Sequence, residues 1–133
     1  MVLASTFNWS YLFIAVAIGL LFGLIISKNK QFDKSRLQFL DVKEFADTMR
    51  KGTLVDIRSE KEFDIDKIIG AKNFKGKSGA SSSAVRKDIP IFLYDEKGSK
   101  VNSCAKSYVR KGAVMVYMLK GGFEAYKAYK DKK

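Results

Sequence analysis

The residues best suited to chemistry form one short segment, Asp95, Glu96, Lys97, Gly98, Ser99 and Lys100. An apolar run ending at Tyr94 precedes this segment, and apolar residues at helical spacing follow it from Val101 onward. Where a loop leads from a strand into a helix, the backbone N–H groups of the loop and of the helix N-terminus point into the loop. That arrangement suits a thiolate, a phosphate or a carboxylate. The sequence therefore predicts an anion-holding loop over residues 95–100 that carries its own carboxylate, Asp95.

The chain contains one cysteine, Cys104, and no histidine. Without histidine, a His-dependent triad and a zinc site with His ligands are excluded, and we predict neither a metal site nor a cofactor. Cys104 lies on the apolar stripe of the predicted helix, so we expect a buried structural thiol. The alternative is that Cys104 acts as a replacement nucleophile. This alternative is less favoured, because a reactive cysteine needs exposure and positive surroundings.

Two flanking segments and a closing one surround this loop. Residues 54–63 contain Asp-x-Arg-x-x-x-Glu-Phe, residues 68–73 contain Ile-x-Gly-Ala-x-Asn, and residues 116–126 contain an apolar strand pattern followed by Gly-Gly. These blocks, in this order, resemble the rhodanese-like domain. The resemblance implies an α/β fold with a mainly parallel sheet flanked by helices on both faces, in which Asp56 and Arg58 form a structural polar pair near the loop.

The same resemblance argues against the usual activity of that family. In its active members the loop begins with a cysteine that carries a persulfide and often ends with an arginine, whereas Asp95 and Lys100 stand at these positions here. A carboxylate cannot hand on a sulfur atom, and Lys lacks the bidentate fork of Arg. We therefore expect a catalytically inactive binding or regulatory module. The alternative is a sulfurtransferase or persulfide carrier that uses Cys104 or a partner's thiol.

The elements that must position the loop follow from local patterns. Strand patterns alternate with helical ones, which favours a parallel sheet covered on both faces. Asp41 and Glu44 form a capping box for a helix after the first strand. Residues 76–83 are rich in Gly and Ser, so we predict a surface loop there with a turn of helix near residues 84–87.

The N-terminus has a different composition. Residues 2–27 carry no charge, and about 20 helical residues at roughly 1.5 Å each would cross a hydrocarbon core of about 30 Å. We predict a transmembrane helix within residues 1–27, a basic linker over 28–36, and the rhodanese-like domain over 37–133. A cleaved signal peptide is disfavoured because positive charge precedes the apolar run of such peptides, and here it follows.

Charge suggests the orientation and the partners. The linker is basic, so the N-terminus should lie outside the plasma membrane and the domain in the cytoplasm. A net charge of +11 favours anionic lipid or acidic protein, with nucleic acid least favoured. We expect a protein partner or a small anion at residues 95–100. Ala15, Gly19 and Gly23 lie four residues apart, a spacing that allows close helix contact in a homodimer, which is a hypothesis. The favoured alternative is that these glycines have no such role, since glycine is common in membrane helices generally.

Overall fold

The computed structural model describes residues 8–28 and 33–132, with the side chains of residues 26–28 left aside. The chain divides into two compact units, Met1–Gln31 and Phe32–Lys133. The division falls inside the segment 28–36 that the sequence predicts to be a linker.

In the first unit, residues 9–28 form the helix α1 (Trp9–Lys28), whose described apolar side chains are exposed; the residue Phe13, for example, is 71% exposed. Within the described ranges, no helix has both the length and the apolar character needed to cross a bilayer. The transmembrane helix within residues 1–27, of which residues 1–7 lie outside the described ranges, stays a prediction.

The second unit is built on a five-stranded sheet. Its strands are β1 (Leu37–Leu40), β2 (Thr53–Asp56), β3 (Lys72–Asn73), β4 (Ile91–Tyr94) and β5 (Val116–Leu119). They are arranged in the order β1-β5-β4-β2-β3, and among the described residues all the pairings are parallel. All four residues of the central strand β4 are buried, as expected for a parallel strand covered on both faces. The predicted parallel α/β sheet is confirmed.

Within residues 33–132, three helices lie between consecutive strands and a fourth follows the last strand. They are α2 (Val42–Thr48), α3 (Glu60–Ile65), α4 (Val101–Arg110) and α5 (Gly122–Asp131), with short 3-10 helices at Lys34–Arg36, Met49–Lys51 and Ser78–Ser81. The carboxylate of Asp41 accepts the Glu44 N–H at 2.9 Å, which is the N-cap that the sequence pattern predicts. Ser59 caps α3 in the same way through the Glu62 N–H at 3.3 Å.

Two apolar clusters cover the two faces of the sheet. One contains Val101, Cys104 and Tyr108 of α4 together with the side chains of β4 and β5 that lie on the same face of the sheet. The other contains Phe45 of α2 and Phe123 of α5. The sheet is thus enclosed on both sides, and its carboxyl edge is left to form a site.

The Gly/Ser-rich segment differs from the prediction. Residues 78–81 form a 3-10 helix in which Gly79 and Ala80 are buried, and residues 84–87 are not helical. A Cβ at Gly79 would lie 2.1 Å from the hydroxyl of Tyr108 and 3.0 Å from Cβ of Phe74. The predicted exposed loop is therefore wrong at this point, because a residue without a side chain is what allows two aromatic side chains to approach the backbone.

Candidate functional site

The site lies where the central strands end. Strand β4 ends at Tyr94, the segment 95–100 follows as a loop, and α4 begins at Val101. In the neighbouring strand β2, Asp56 pairs with Tyr94, so both strands stop at the same edge. In parallel sheets this carboxyl edge, beside a helix N-terminus, is the usual place for a binding site. The structure thus brings together the segment 95–100 and the Asp56–Arg58 pair.

Asp95 fills the interior of its own loop. Its residue is 4% exposed, and its two carboxylate oxygens accept the Gly98 N–H at 2.6 Å and the Lys100 N–H at 2.7 Å. Hydrogen bonds to an ionised acceptor are shorter and stronger than neutral ones, and the N-terminus of α4 adds a favourable dipole. The carboxylate therefore occupies the place where these amides would otherwise hold a separate anion.

Arg58 connects the loop to the end of β2. Its guanidinium donates to the Asp56 carboxylate at 2.7 to 3.0 Å, and its Nη1 donates to Oε2 of Glu96 at 2.9 Å. Burial opposes the charge on Arg58, yet the hydrogen bonds to Asp56 and Glu96 raise its pKa above the ordinary value. The guanidinium also lies 4.2 Å from the ring centre of Phe123. Arg58 thus ties β2 to the loop and to α5.

A second contact supports the loop from the side of α5. The N–H of Phe123 donates to the carbonyl of Asp95 at 2.7 Å, and the N–H of Glu124 donates to the carbonyl of Glu96 at 3.1 Å. A Cβ at Gly122 would lie 2.6 Å from the carbonyl oxygen of Glu96. The Gly-Gly turn therefore brings the first turn of α5 directly against the loop backbone.

A cavity of about 780 Å³ opens beside the loop. Its walls come from the segments after β2 and β3, from α3, from the loop, from α4 and from α5. The residues that line it are Ile57, Arg58, Ser59, Glu62, Ile65, Asp66, Lys75, Gly76, Asp95, Glu96, Lys97, Ser99, Lys100, Cys104, Phe123 and Lys127. Cys104 is only 6% exposed, but it still forms part of this wall. Burial raises the pKa of its thiol, so the thiol stays protonated near neutral pH.

Sequence reasoning missed several contributors. The side-chain amide of Asn73 donates to the carbonyls of Asp56 and Arg58 at 3.1 and 3.0 Å, and so holds the Asp-x-Arg turn. Its position at the end of the Ile-x-Gly-Ala-x-Asn block was the available signal. No local pattern pointed to Lys75 or Lys127, which reach the cavity only through the fold. In residues 8–28 and 33–132, no three His, Cys, Asp or Glu residues are grouped to hold a metal ion.

Comparison with known proteins gives a consistent result. A family model described as "Rhodanese-like domain" matches residues 41–129. The uncharacterized protein YqhL of Bacillus subtilis (strain 168) is 30% identical over 91 residues, which cover 68% of this chain and 72% of that protein.

Two solved structures share the fold. The rhodanese-like domain of the Anabaena sp. Alr3790 protein is 22% identical with a TM-score of 0.62, covering 68% of this chain and 73% of that one. The Rhodopseudomonas palustris CGA009 protein RPA3614, of unknown function and described as a possible tyrosine phosphatase, is 21% identical with a TM-score of 0.62, covering 72% and 83%. At these identities the likeness establishes the fold.

Proposed function

Because the chain belongs to the rhodanese-like domain family, we propose that it is a binding or regulatory member of that family that does not transfer sulfur. One observation carries the proposal: the Asp95 carboxylate accepts the Gly98 and Lys100 amides at 2.6 and 2.7 Å. By resemblance, Asp95 stands where active members have their persulfide-carrying cysteine. A carboxylate oxygen cannot carry a sulfane sulfur, so this loop does not perform the transfer.

The geometry supports binding by a preformed surface. The loop is held by Arg58 through Glu96 and by the first turn of α5 through two backbone hydrogen bonds. A surface that is already ordered loses little entropy when a partner docks, which favours affinity. The cavity beside the loop is the place where such a partner would insert.

The test is a sulfurtransferase assay on the full chain in a neutral detergent. With thiosulfate as sulfur donor and cyanide as acceptor, the products would be sulfite and thiocyanate. We expect no thiocyanate above the buffer rate, either for the native chain or for Cys104→Ser. Turnover by the native chain that disappears in Cys104→Ser would contradict the proposal.

A second candidate function has one observation in its favour. Cys104 forms part of the cavity wall, so its thiol could serve as the sulfur carrier in place of the loop residue. Against this, burial raises the pKa of the thiol, and the thiolate is the species that attacks sulfur donors. We favour the structural role for Cys104 on this ground.

Alkylation separates the two functions. At about pH 8, iodoacetamide should modify Cys104 slowly in the native chain and rapidly in urea, because only the unfolded thiol regains its ordinary pKa and exposure. Intact-mass spectrometry over time measures both rates. Native alkylation as fast as that in urea would favour the sulfur-carrier function.

The proposal includes a membrane anchor over residues 7–26 that places the domain at the cytoplasmic face. It is supported by the uncharged sequence of this stretch and by the exposed apolar side chains of α1, since such a surface is unfavourable in water. Gly19 and Gly23 have open space around them, which suits contact with a second copy. We expect the chain to stay in the membrane pellet after alkaline carbonate extraction. Release by carbonate or by salt alone would mean peripheral attachment.

A further inference from the structure

We propose that the cavity beside residues 95–100 binds a carboxylate-rich peptide segment of a protein partner, one that also carries apolar side chains. This inference rests on the proposed binding function and names the class of partner. It draws on three features of the described residues: lysines on the cavity wall that have no ion pair, loop amides that are already bound by Asp95, and an exposed isoleucine on the same wall.

The charges on the cavity wall are unevenly paired. Among its acidic residues, Asp95 is bound by loop amides, Glu96 pairs with Arg58 at 2.9 Å, and Asp66 pairs with Lys127 at 3.5 Å. The charged wall residues outside these pairs are one acid, Glu62, and three lysines, Lys75, Lys97 and Lys100. These lysines have no ion pair within residues 33–132. Five cationic and four anionic side chains line the wall, so its formal charge is +1, and the lysines without an ion pair can contact an acidic ligand.

A compact inorganic anion is a poor match for this arrangement. The amides of Gly98 and Lys100, which would grip such an anion, are taken by Asp95. What is left is a set of flexible ammonium groups, which act as point charges without fixed geometry. Several carboxylates joined on one segment could engage these groups together, because each contact after the first is intramolecular.

The cavity wall also has an apolar component. Ile65 is 78% exposed, which is unusual for a large apolar side chain in residues 33–132. Ile65 is part of the cavity wall, and Phe123 lies on the same wall. Exposed apolar side chains bordered by polar and charged residues are typical of protein-binding surfaces. A concave wall with an exposed apolar side chain also fits an inserted peptide better than a flat lipid surface.

The binding test uses the full chain in a neutral detergent and a short fluorescein-labelled peptide of alternating glutamate and leucine. Fluorescence anisotropy should show saturable binding that weakens as salt rises. The Lys97→Gln/Lys100→Gln variant should bind the peptide roughly three- to tenfold more weakly, since each lost charge pair is worth a modest amount. The matched control Lys43→Gln/Lys51→Gln loses the same charge from exposed positions outside the cavity and should leave the affinity unchanged.

The apolar component has its own pair of variants. Ile65→Ser should weaken peptide binding, whereas Val114→Ser, which changes an exposed residue outside the cavity wall, should not. A peptide with glutamine in place of glutamate should bind much less tightly than the acidic one. Absence of saturable binding, or equal affinity for the native chain and Lys97→Gln/Lys100→Gln, would overturn the inference.

A vesicle experiment tests the other class of anionic partner, an anionic lipid surface. The full chain is placed in vesicles of phosphatidylcholine, with or without phosphatidylserine, and peptide affinity is measured in both. We expect equal affinities. Loss of peptide binding in phosphatidylserine vesicles would mean that these lysines face lipid, and it too would overturn the inference. If the peptide does not bind and no sulfurtransferase turnover is found, the inference about the partner is wrong but the proposed non-catalytic function is not, because the turnover assay alone tests that function.

Discussion

Asp95 shows how one side chain can satisfy a loop that would otherwise need a separate anion. Its carboxylate meets two backbone N–H groups within the same loop, and the residue is almost wholly buried. The interaction is local, since the partners are three and five residues away in the chain. A hard oxygen anion in this place stabilises the loop and also blocks it.

Replacing this carboxylate gives the first prediction. Asp95→Ala should lower the free energy of unfolding by about 2–4 kcal/mol, because two partly buried amides lose their charged acceptor. Sulfate added at constant ionic strength should restore part of this loss in the variant, by binding the freed amides, and should have no such effect on the native chain. Urea unfolding with and without sulfate measures both effects.

Asp88→Ala is the control for this experiment. Asp88 is exposed and pairs with Arg86 on the surface, so its loss should change stability little and create no sulfate response. If sulfate stabilised the native chain and Asp95→Ala equally, the claim that the Asp95 carboxylate occupies the anion site of its own loop would be contradicted.

Two buried tyrosines make a matched pair for the second prediction. The hydroxyl of Tyr94 accepts the Ile68 N–H at 3.2 Å, whereas in the described part of the chain the hydroxyl of Tyr108 has no hydrogen-bond partner. Tyr94→Phe should therefore cost about 1 kcal/mol, and Tyr108→Phe should be neutral or stabilising by about 1 kcal/mol. Urea midpoints of the two variants give the comparison. Equal destabilisation by both would show that Tyr108 makes a bond of similar worth.

At the scale of elements, the loop is held between β2, α4 and α5. Arg58 reaches Glu96 across 38 residues of sequence, and the first turn of α5 donates two backbone hydrogen bonds to the loop. The loop geometry therefore depends on how closely α5 approaches, and that approach depends on Gly122. A side chain there would meet the loop backbone.

The third prediction compares two glycines with positive φ. Gly122 has φ +68, and an added Cβ would lie 2.6 Å from backbone atoms of Glu96, while Gly112 has φ +104 and open space around it. Gly122→Ala should lower the free energy of unfolding by about 3–5 kcal/mol, because overpacking adds to the backbone strain. Gly112→Ala should cost only the strain, about 1–2 kcal/mol. Thermal and urea unfolding measure both, and equal losses would contradict the contact between α5 and the loop.

At the scale of the whole molecule, the buried acid groups predict a loss of stability in alkali. Burial raises the pKa of Cys104 above its ordinary value of 9.0, and that of Tyr94 and Tyr108 above 10.0. The stability that these groups contribute is complete below the ordinary values. It falls as the pH rises above them, because the unfolded chain then releases protons that the folded chain retains.

The measurement is urea unfolding from pH 8 to 11, and the free energy of unfolding should fall by up to about 1.4 kcal/mol per pH unit for each such group once the pH exceeds its ordinary pKa. The Tyr94→Phe/Tyr108→Phe variant should show a shallower fall, since only Cys104 remains of the three groups. A midpoint that stays constant over this range would contradict the burial of these side chains.

What the sequence by itself determined is the local structure and the family resemblance. Strand and helix periods, the Asp41 cap, the Gly-Gly turn and the position of residues 95–100 all depend on interactions between neighbours in the chain. For the same reason, the placement of Asp95 at the start of a loop before a helix could be predicted from its flanking residues alone.

Only the tertiary structure decided which distant residues share the site. The pairing of Arg58 with Glu96, the burial of Gly79 beneath Tyr108, and the presence of Lys127 on the cavity wall all join segments far apart in sequence. These contacts follow from the strand order β1-β5-β4-β2-β3, which brings β2 beside β4 and so sets the ends of both strands at one edge. Local patterns specify each element, but contacts between elements depend on how the elements pack against one another.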